Sequence, residues 1–160
     1  MMKNVCYKLR DVPRMSTRSF ATGTGEADNT EEFADEKWSI HVQHYVKIEA
    51  KIEYKGFSQH TLEYFNRNFG YIPIGSQGEI HFKVNIPKTL NVPSKIKWYW
   101  KIRNVGSAAI KHNNIRGQLV KGKTEQEEST SFAGPHYVEF YGIKNEIVLV
   151  FGRLEVPLKE

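Results

Sequence analysis

The sequence predicts an all-β fold, an antiparallel immunoglobulin-like β-sandwich with at most one short helix. Three observations carry this prediction. Apolar side chains recur at every second position through most of the chain after residue 33, the period of a half-buried strand. Turn-forming clusters separate these runs: Gly75-Ser76-Gln77-Gly78, Pro87 to Pro93, Gly106, Gly134-Pro135 and Lys144-Asn145. Only Ser58 to Asn68 carries a helical spacing. Short strands with turns between them and hardly any helix bury their apolar faces as two packed sheets.

Taken in order, residues 1–32 read as a flexible tail and linker. The segment STRSFATGTGEADNTEE, residues 16–32, has almost nothing to bury, and residues 1–25 hold one acid, Asp11. That Arg/Ser/Thr-rich start has a faint transit-peptide composition, but it reads as a loose tail. Residues 33–160 form the folded unit, and 160 residues suit one domain. In the first run Ile40, Val42, His44, Val46, Ile48, Ala50, Ile52 and Tyr54 share one phase, with Ser39, His41, Gln43, Tyr45, Lys47, Glu49, Lys51 and Glu53 on the other. It far exceeds a common strand of about 5–6 residues, so a bend or bulge is expected near Gln43-His44. His44, on the apolar phase, reads as a satisfied, partly buried histidine. Next comes the helical segment, with Ser58 as N-cap and Leu62, Phe65 and Phe69 near one face. Further strands follow at Ile80–Ile86, Ile96–Ile102, Val138–Phe140 and Ile147–Phe151. In the stretch WYWKIRNVGSAA, Trp98 and Trp100 point inward with Ile96 and Ile102, while Lys97, Tyr99, Lys101 and Arg103 line the other face, expected to be solvated.

Composition narrows the function. A net charge of +5 and a pI near 9.2 favour an anionic partner, although the lysines are spread along the chain rather than gathered in an arm. A single cysteine, Cys6, excludes an internal disulfide and points to a reducing cytoplasm. No apolar run reaches the roughly 18 residues of a membrane span, so no membrane partner is expected. The only aspartates, Asp11, Asp28 and Asp35, precede or border the folded unit, so the paired carboxylates that hold Mg²⁺ for phosphoryl transfer are missing. There is no phosphate-cradling G-x-x-x-x-G-K-[ST] loop, no G-x-S-x-G elbow around Ser129, Thr130 and Ser131, and no metal-ligand spacing among the six histidines. Glu125, Glu127 and Glu128 read as a solvated edge strand, and His136 with Glu128 or Glu139 lacks a nucleophile for acid–base work. The expectation is a non-catalytic protein with no cofactor and no metal.

The order of several segments carries a resemblance. WSI from Trp38, VKIEAKIEYKGF ending at Phe57, WYWKIRNVGSAA, NIRGQLV from Asn114 to Val120, ESTSFAGPHYVEFYGI from Glu128 to Ile143 and the closing LEVPL together resemble the adenylyl/guanylyl and SMODS C-terminal sensor family, AGS-C. The likeness covers about residues 33–158. Its strand end, its turn and its acidic-Thr strand pair stand in family order, with Ile115 for the usual Leu, Phe132 for Tyr, and Ser107-Ala108 where an acid is usual.

The resemblance implies a sensor that binds a nucleotide or cyclic oligonucleotide, or another infection cue. It would regulate a nucleotidyltransferase, cyclase or effector encoded nearby in bacterial anti-phage signalling, with oligomerisation open. It implies a ligand site where the motifs converge: Asn104 at the strand end, Arg116 in the turn, and His136 after Gly134-Pro135. Gly106, Gly117 and Gly134 would allow close backbone approach. The planar fork of Arg116 suits phosphate, Arg103 adds charge, and Tyr99, Tyr137 and Tyr141 offer rings for a base to stack on. Two other readings stay open: a protein-interaction sandwich working through an edge strand or the Tyr99 face, and a single-stranded RNA binder. Asn104 and Arg116 also fit a purely structural role at strand ends.

Overall fold

A computed structural model of the chain describes residues 31–56, 58–73, 78–106, 109–110, 114–129 and 134–158. The tail before residue 31, the turn at Gly75-Ser76-Gln77, Ser107-Ala108, and Thr130 to Ala133 with Phe132 lie outside the described residues. The fold is mostly β, in two open sheets. The elements are α1 (Ala34–Lys37), β1 (Ser39–Tyr45), β2 (Ile48–Tyr54), β3 (His60–Thr61), α2 (Leu62–Asn68), β4 (Gly78–Val84), a 3₁₀ turn (Lys88–Leu90), β5 (Lys97–Asn104), β6 (Arg116–Gly122), β7 (Glu125–Ser129), β8 (His136–Lys144) and β9 (Ile147–Val156). A five-stranded sheet runs β1-β9-β8-β5-β6, and a four-stranded sheet runs β3-β2-β4-β7.

Two corrections to the expected sandwich follow. The pairing is not antiparallel throughout, because β1 lies parallel to β9. The reason is a change of sheet inside the long first run. Residues 39–45 pair in the five-stranded sheet, the chain crosses at Val46-Lys47, and residues 48–54 pair with β4 in the other sheet. At the crossing the Val46 N–H donates to the Phe151 carbonyl, and Gly152 leaves room that a Cβ would lack, at 2.7 Å from the Val46 oxygen. The β1–β9 register also shifts between Ile40 and His44. His44 is half-buried. The second correction is a second short helix, α1, ahead of β1. The expected helix begins at Leu62, capped by Thr61, whose hydroxyl accepts from the Tyr64 N–H, rather than by Ser58. His60 and Thr61 are drawn into the sheet beside β2, which delays the helix. Phe69 stays exposed there, while Leu62 is buried.

The core between the sheets is built from one phase of each strand: Ile48, Ala50 and Ile52 of β2, Ile80, Phe82 and Val84 of β4, Trp100 and Ile102 of β5, and Val138 and Phe140 of β8. Trp98 packs at its margin, stacked on Phe140 at 5.0 Å. A second cluster covers the outer face of the five-stranded sheet, where Ala34, Leu119, Tyr141, Ile143 and Val148 are buried beside Trp38 and Tyr99. Strand β8 is therefore covered on both faces, and its first eight residues are all buried. No helix is long and apolar enough to cross a membrane among the described residues.

Candidate functional site

The three segments named by the sequence meet at one end of the five-stranded sheet. The Asn104 N–H donates to the Ile115 carbonyl at 2.9 Å, the Asn104 amide donates to the Asn114 carbonyl at 2.8 Å, and the Val105 N–H donates to the Pro135 carbonyl at 2.9 Å. Register then sorts six of the seven candidate residues onto two faces, while Arg116, paired with Arg103 across a register shift, reaches the second sheet through its ion pair with Glu128. Asn104 lies opposite His136, in phase with Trp100 and Ile102, so both turn toward the second sheet. Tyr99 lies opposite Tyr141 and Arg103 opposite Tyr137, in the other phase, on the outer face.

On the inner side, His136 is 6% exposed and sits edge-on to Phe82 of the second sheet, ring centroids 6.5 Å apart. Burial lowers its pKa from 6.5 to about 4. Its hydrogen bond to the Gly134 backbone and the nearby Glu128 charge oppose that shift, and Arg116 reinforces it. The imidazole is therefore neutral at physiological pH. A neutral imidazole carries one N–H and one bare acceptor nitrogen, and the buried Nε2 of His136 is the ring atom without a hydrogen-bond partner among the described residues. Arg116 reaches across to β7 through Nη1, 2.7 Å from Glu128 Oε2, and its side chain is 40% exposed. Its backbone is left-handed at φ 57°, followed by Gly117 at φ 110°. A non-glycine residue held there costs on the order of 1–3 kcal/mol and is over-represented at binding sites.

On the outer face the aromatic and basic residues are engaged rather than open. Lys101, expected to be solvated, is 3% exposed. Its Nζ donates to Glu31 Oε1 at 2.8 Å and lies 3.7 Å from Glu139. Arg103 Nε donates to Glu31 Oε2 at 2.6 Å, and the Tyr137 hydroxyl donates to Glu31 Oε1 at 2.8 Å. The Tyr141 hydroxyl donates to Glu139 Oε2 at 2.7 Å, and Arg153 binds the other Glu139 oxygen at 2.9 Å. Tyr99 packs on Trp38 at 4.8 Å. Burial, then Glu139 and Glu31, raise the Tyr137 pKa; burial and Glu139 do the same for Tyr141. Burial works against Glu31, but hydrogen bonds and charges from Lys101, Tyr137 and Arg103 outweigh it and hold its carboxyl below 4.5. Sequence reasoning missed Glu31 and Arg153, and it set Glu139 beside His136 rather than with Tyr141 and Arg153. Glu139 and Arg153 were readable from phase as charged residues inside strands; Glu31 looks like any linker acid.

The edge acids divide too. Glu127 faces His81 at 3.2 Å, Lys83 pairs with Glu125, and Glu128 turns inward to Arg116. Among the described residues no group of three or more His, Cys, Asp or Glu could hold a metal ion.

The chain is a two-sheet β domain with buried polar groups gathered at one strand end. The family model described as "Adenylyl/Guanylyl and SMODS C-terminal sensor domain" matches residues 28–159, and the chain belongs to this AGS-C family. No curated protein and no solved structure matches the chain.

Proposed function

We propose that the protein is a non-catalytic sensor that binds a nucleotide-like signal, cyclic oligonucleotides included, at the Asn104–Arg116–His136 end of the sheets, and thereby regulates a nucleotidyltransferase, cyclase or effector in bacterial antiviral defence. The observation that carries this reading is the buried Nε2 of His136, without a partner among the described residues and close to Arg116. An unsatisfied polar atom in a core is a stabilising opportunity that a polar group of a ligand fills. A neutral imidazole nitrogen suits a polar group on a base edge, and an exposed guanidinium suits a phosphate; a nucleotide presents both. Family membership supports the sensor class.

Titrating nucleotides and cyclic oligonucleotides against the wild type should give saturable binding that weakens at least tenfold in Arg116→Ala, about 1.4 kcal/mol. Binding should weaken in His136→Ala as well. The thermal midpoint of Arg116→Ala should stay near wild type, because that side chain is partly exposed. Equal affinity in wild type and Arg116→Ala would remove this site. No nucleotide binding, together with a stable complex with a neighbouring gene product, would favour an interaction module instead.

A further inference from the structure

The outer face of the five-stranded sheet presents a different problem. Lys101, Arg103 and Tyr137 point three donors at one carboxylate, and that carboxylate belongs to the segment leading into α1 rather than to the sheet. We propose that Lys101, Arg103 and Tyr137 form a binding site for a phosphate group, and that Glu31 occupies it as an intramolecular plug which a phosphate-bearing ligand displaces.

Donor geometry favours this over a plain structural pair. Arg153 is shared between Glu139 and Glu155, and Glu139 stands 3.7 Å from Lys101, so the cations are already balanced by carboxylates. What singles out Glu31 is convergence: an ammonium at 2.8 Å, a guanidinium at 2.6 Å and a phenol at 2.8 Å all donate to its two oxygens. A phosphate offers an additional acceptor oxygen to the same three donors. Donor count agrees. Beside the three side chains, the Leu119 N–H is presently taken by Glu32 at 2.7 Å and becomes a fourth donor when residues 31–32 lift away. The Arg153 guanidinium lies 3.9 Å over the Tyr137 ring and steadies it independently of Glu31.

The contacts of residues 31–38 with the sheet include Glu31, the two Glu32 bonds to Gly117 and Leu119, Phe33 under the Lys101 ammonium at 4.9 Å, the buried Ala34, and Trp38 on Tyr99. Helix α1 has four residues and no side-chain N-cap bond, so its own backbone does little to hold it. Ligand and strap exclude each other, so phosphate binding is converted into release of residues 31–38. This site lies on the opposite face from His136 and holds or fails separately from the nucleotide reading above.

The test uses the full chain and inorganic pyrophosphate at fixed ionic strength. In Glu31→Gln, which keeps the shape and removes the charge, pyrophosphate should raise the thermal midpoint saturably, with apparent affinity at least tenfold above wild type. Adding Arg103→Gln should abolish the response, and adding Arg116→Ala should leave it. In the wild type, saturating pyrophosphate should speed amide exchange at Leu119 and across residues 33–38, which reads the proposal even if the variants fold poorly. Unchanged wild-type exchange at these amides, or a pyrophosphate response that survives Arg103→Gln, would overturn it.

Discussion

Trp100 shows how much one side chain does here. It is 2% exposed, lies between Phe82 and Phe140, and donates its indole N–H to the Lys123 carbonyl at 2.7 Å. Gly122 opposite is bare because a Cβ there would stand 2.8 Å from the indole ring. The ring is both the largest apolar body in the core and a satisfied donor, so truncation loses packing and also orphans the Lys123 carbonyl. Trp100→Ala should destabilise by about 3–5 kcal/mol in denaturant titration. A loss below about 1 kcal/mol would mean that the core closes over the gap. One position later the same alternation gives Lys101, whose side chain is as buried as the tryptophan because Glu31 covers it.

At the scale of elements, the β8–β9 hairpin offers the sharpest test. Its turn residues Asn145 and Glu146 both have positive φ, 51° and 60°, as a tight two-residue hairpin turn requires. Asparagine tolerates this conformation, but glutamate is held in it at a cost of about 1 kcal/mol. Glu146→Gly should therefore raise the thermal midpoint slightly, with a net gain of at most about 0.5 kcal/mol after the greater chain entropy of glycine is counted. A lower midpoint would show that the Glu146 side chain has a role of its own. This turn was legible as Lys144-Asn145, and so were strands β4 and β5 from their alternating phase and β8 and β9 from apolar residues bounded by turns. The parallel β1–β9 pair was not, since a run of constant period carries no mark where the chain changes sheets. For the same reason the immunoglobulin-like connection order cannot be read from alternation. The convergence of residues 104, 115–117 and 135 was legible from motif order. The split of the candidate residues between two faces was present in the parity of Tyr99, Arg103 and Asn104. The covering of the outer face was not, because Glu31 and Glu32 gain meaning only from the cations they meet in space.

For the whole molecule, the two faces of the five-stranded sheet titrate in different windows. His136 has its folded pKa lowered to about 4 against an ordinary 6.5, mainly by burial. Between those values the unfolded chain binds the extra proton, so the contribution is full above pH 6.5 and is lost as pH falls toward 4. From pH 7 to pH 5 that amounts to about 2 kcal/mol, at 1.36 kcal/mol per unit. Glu31 works lower. Although burial opposes it, the net effect of Lys101, Tyr137 and Arg103 is a folded pKa below 4.5, so its contribution is present above 4.5 and is lost on further acidification. Acid should therefore weaken the inner end first and loosen the strap second. Unfolding free energies measured by denaturant titration at pH 7 and pH 5 should differ by about 2 kcal/mol in the wild type and by less than half of that in His136→Asn. Parallel losses in the two proteins would show that His136 is not the group taking up the proton. Amide exchange across residues 33–38 should rise mainly below pH 4.5 in both, because the carboxylate that holds the strap is untouched by that substitution.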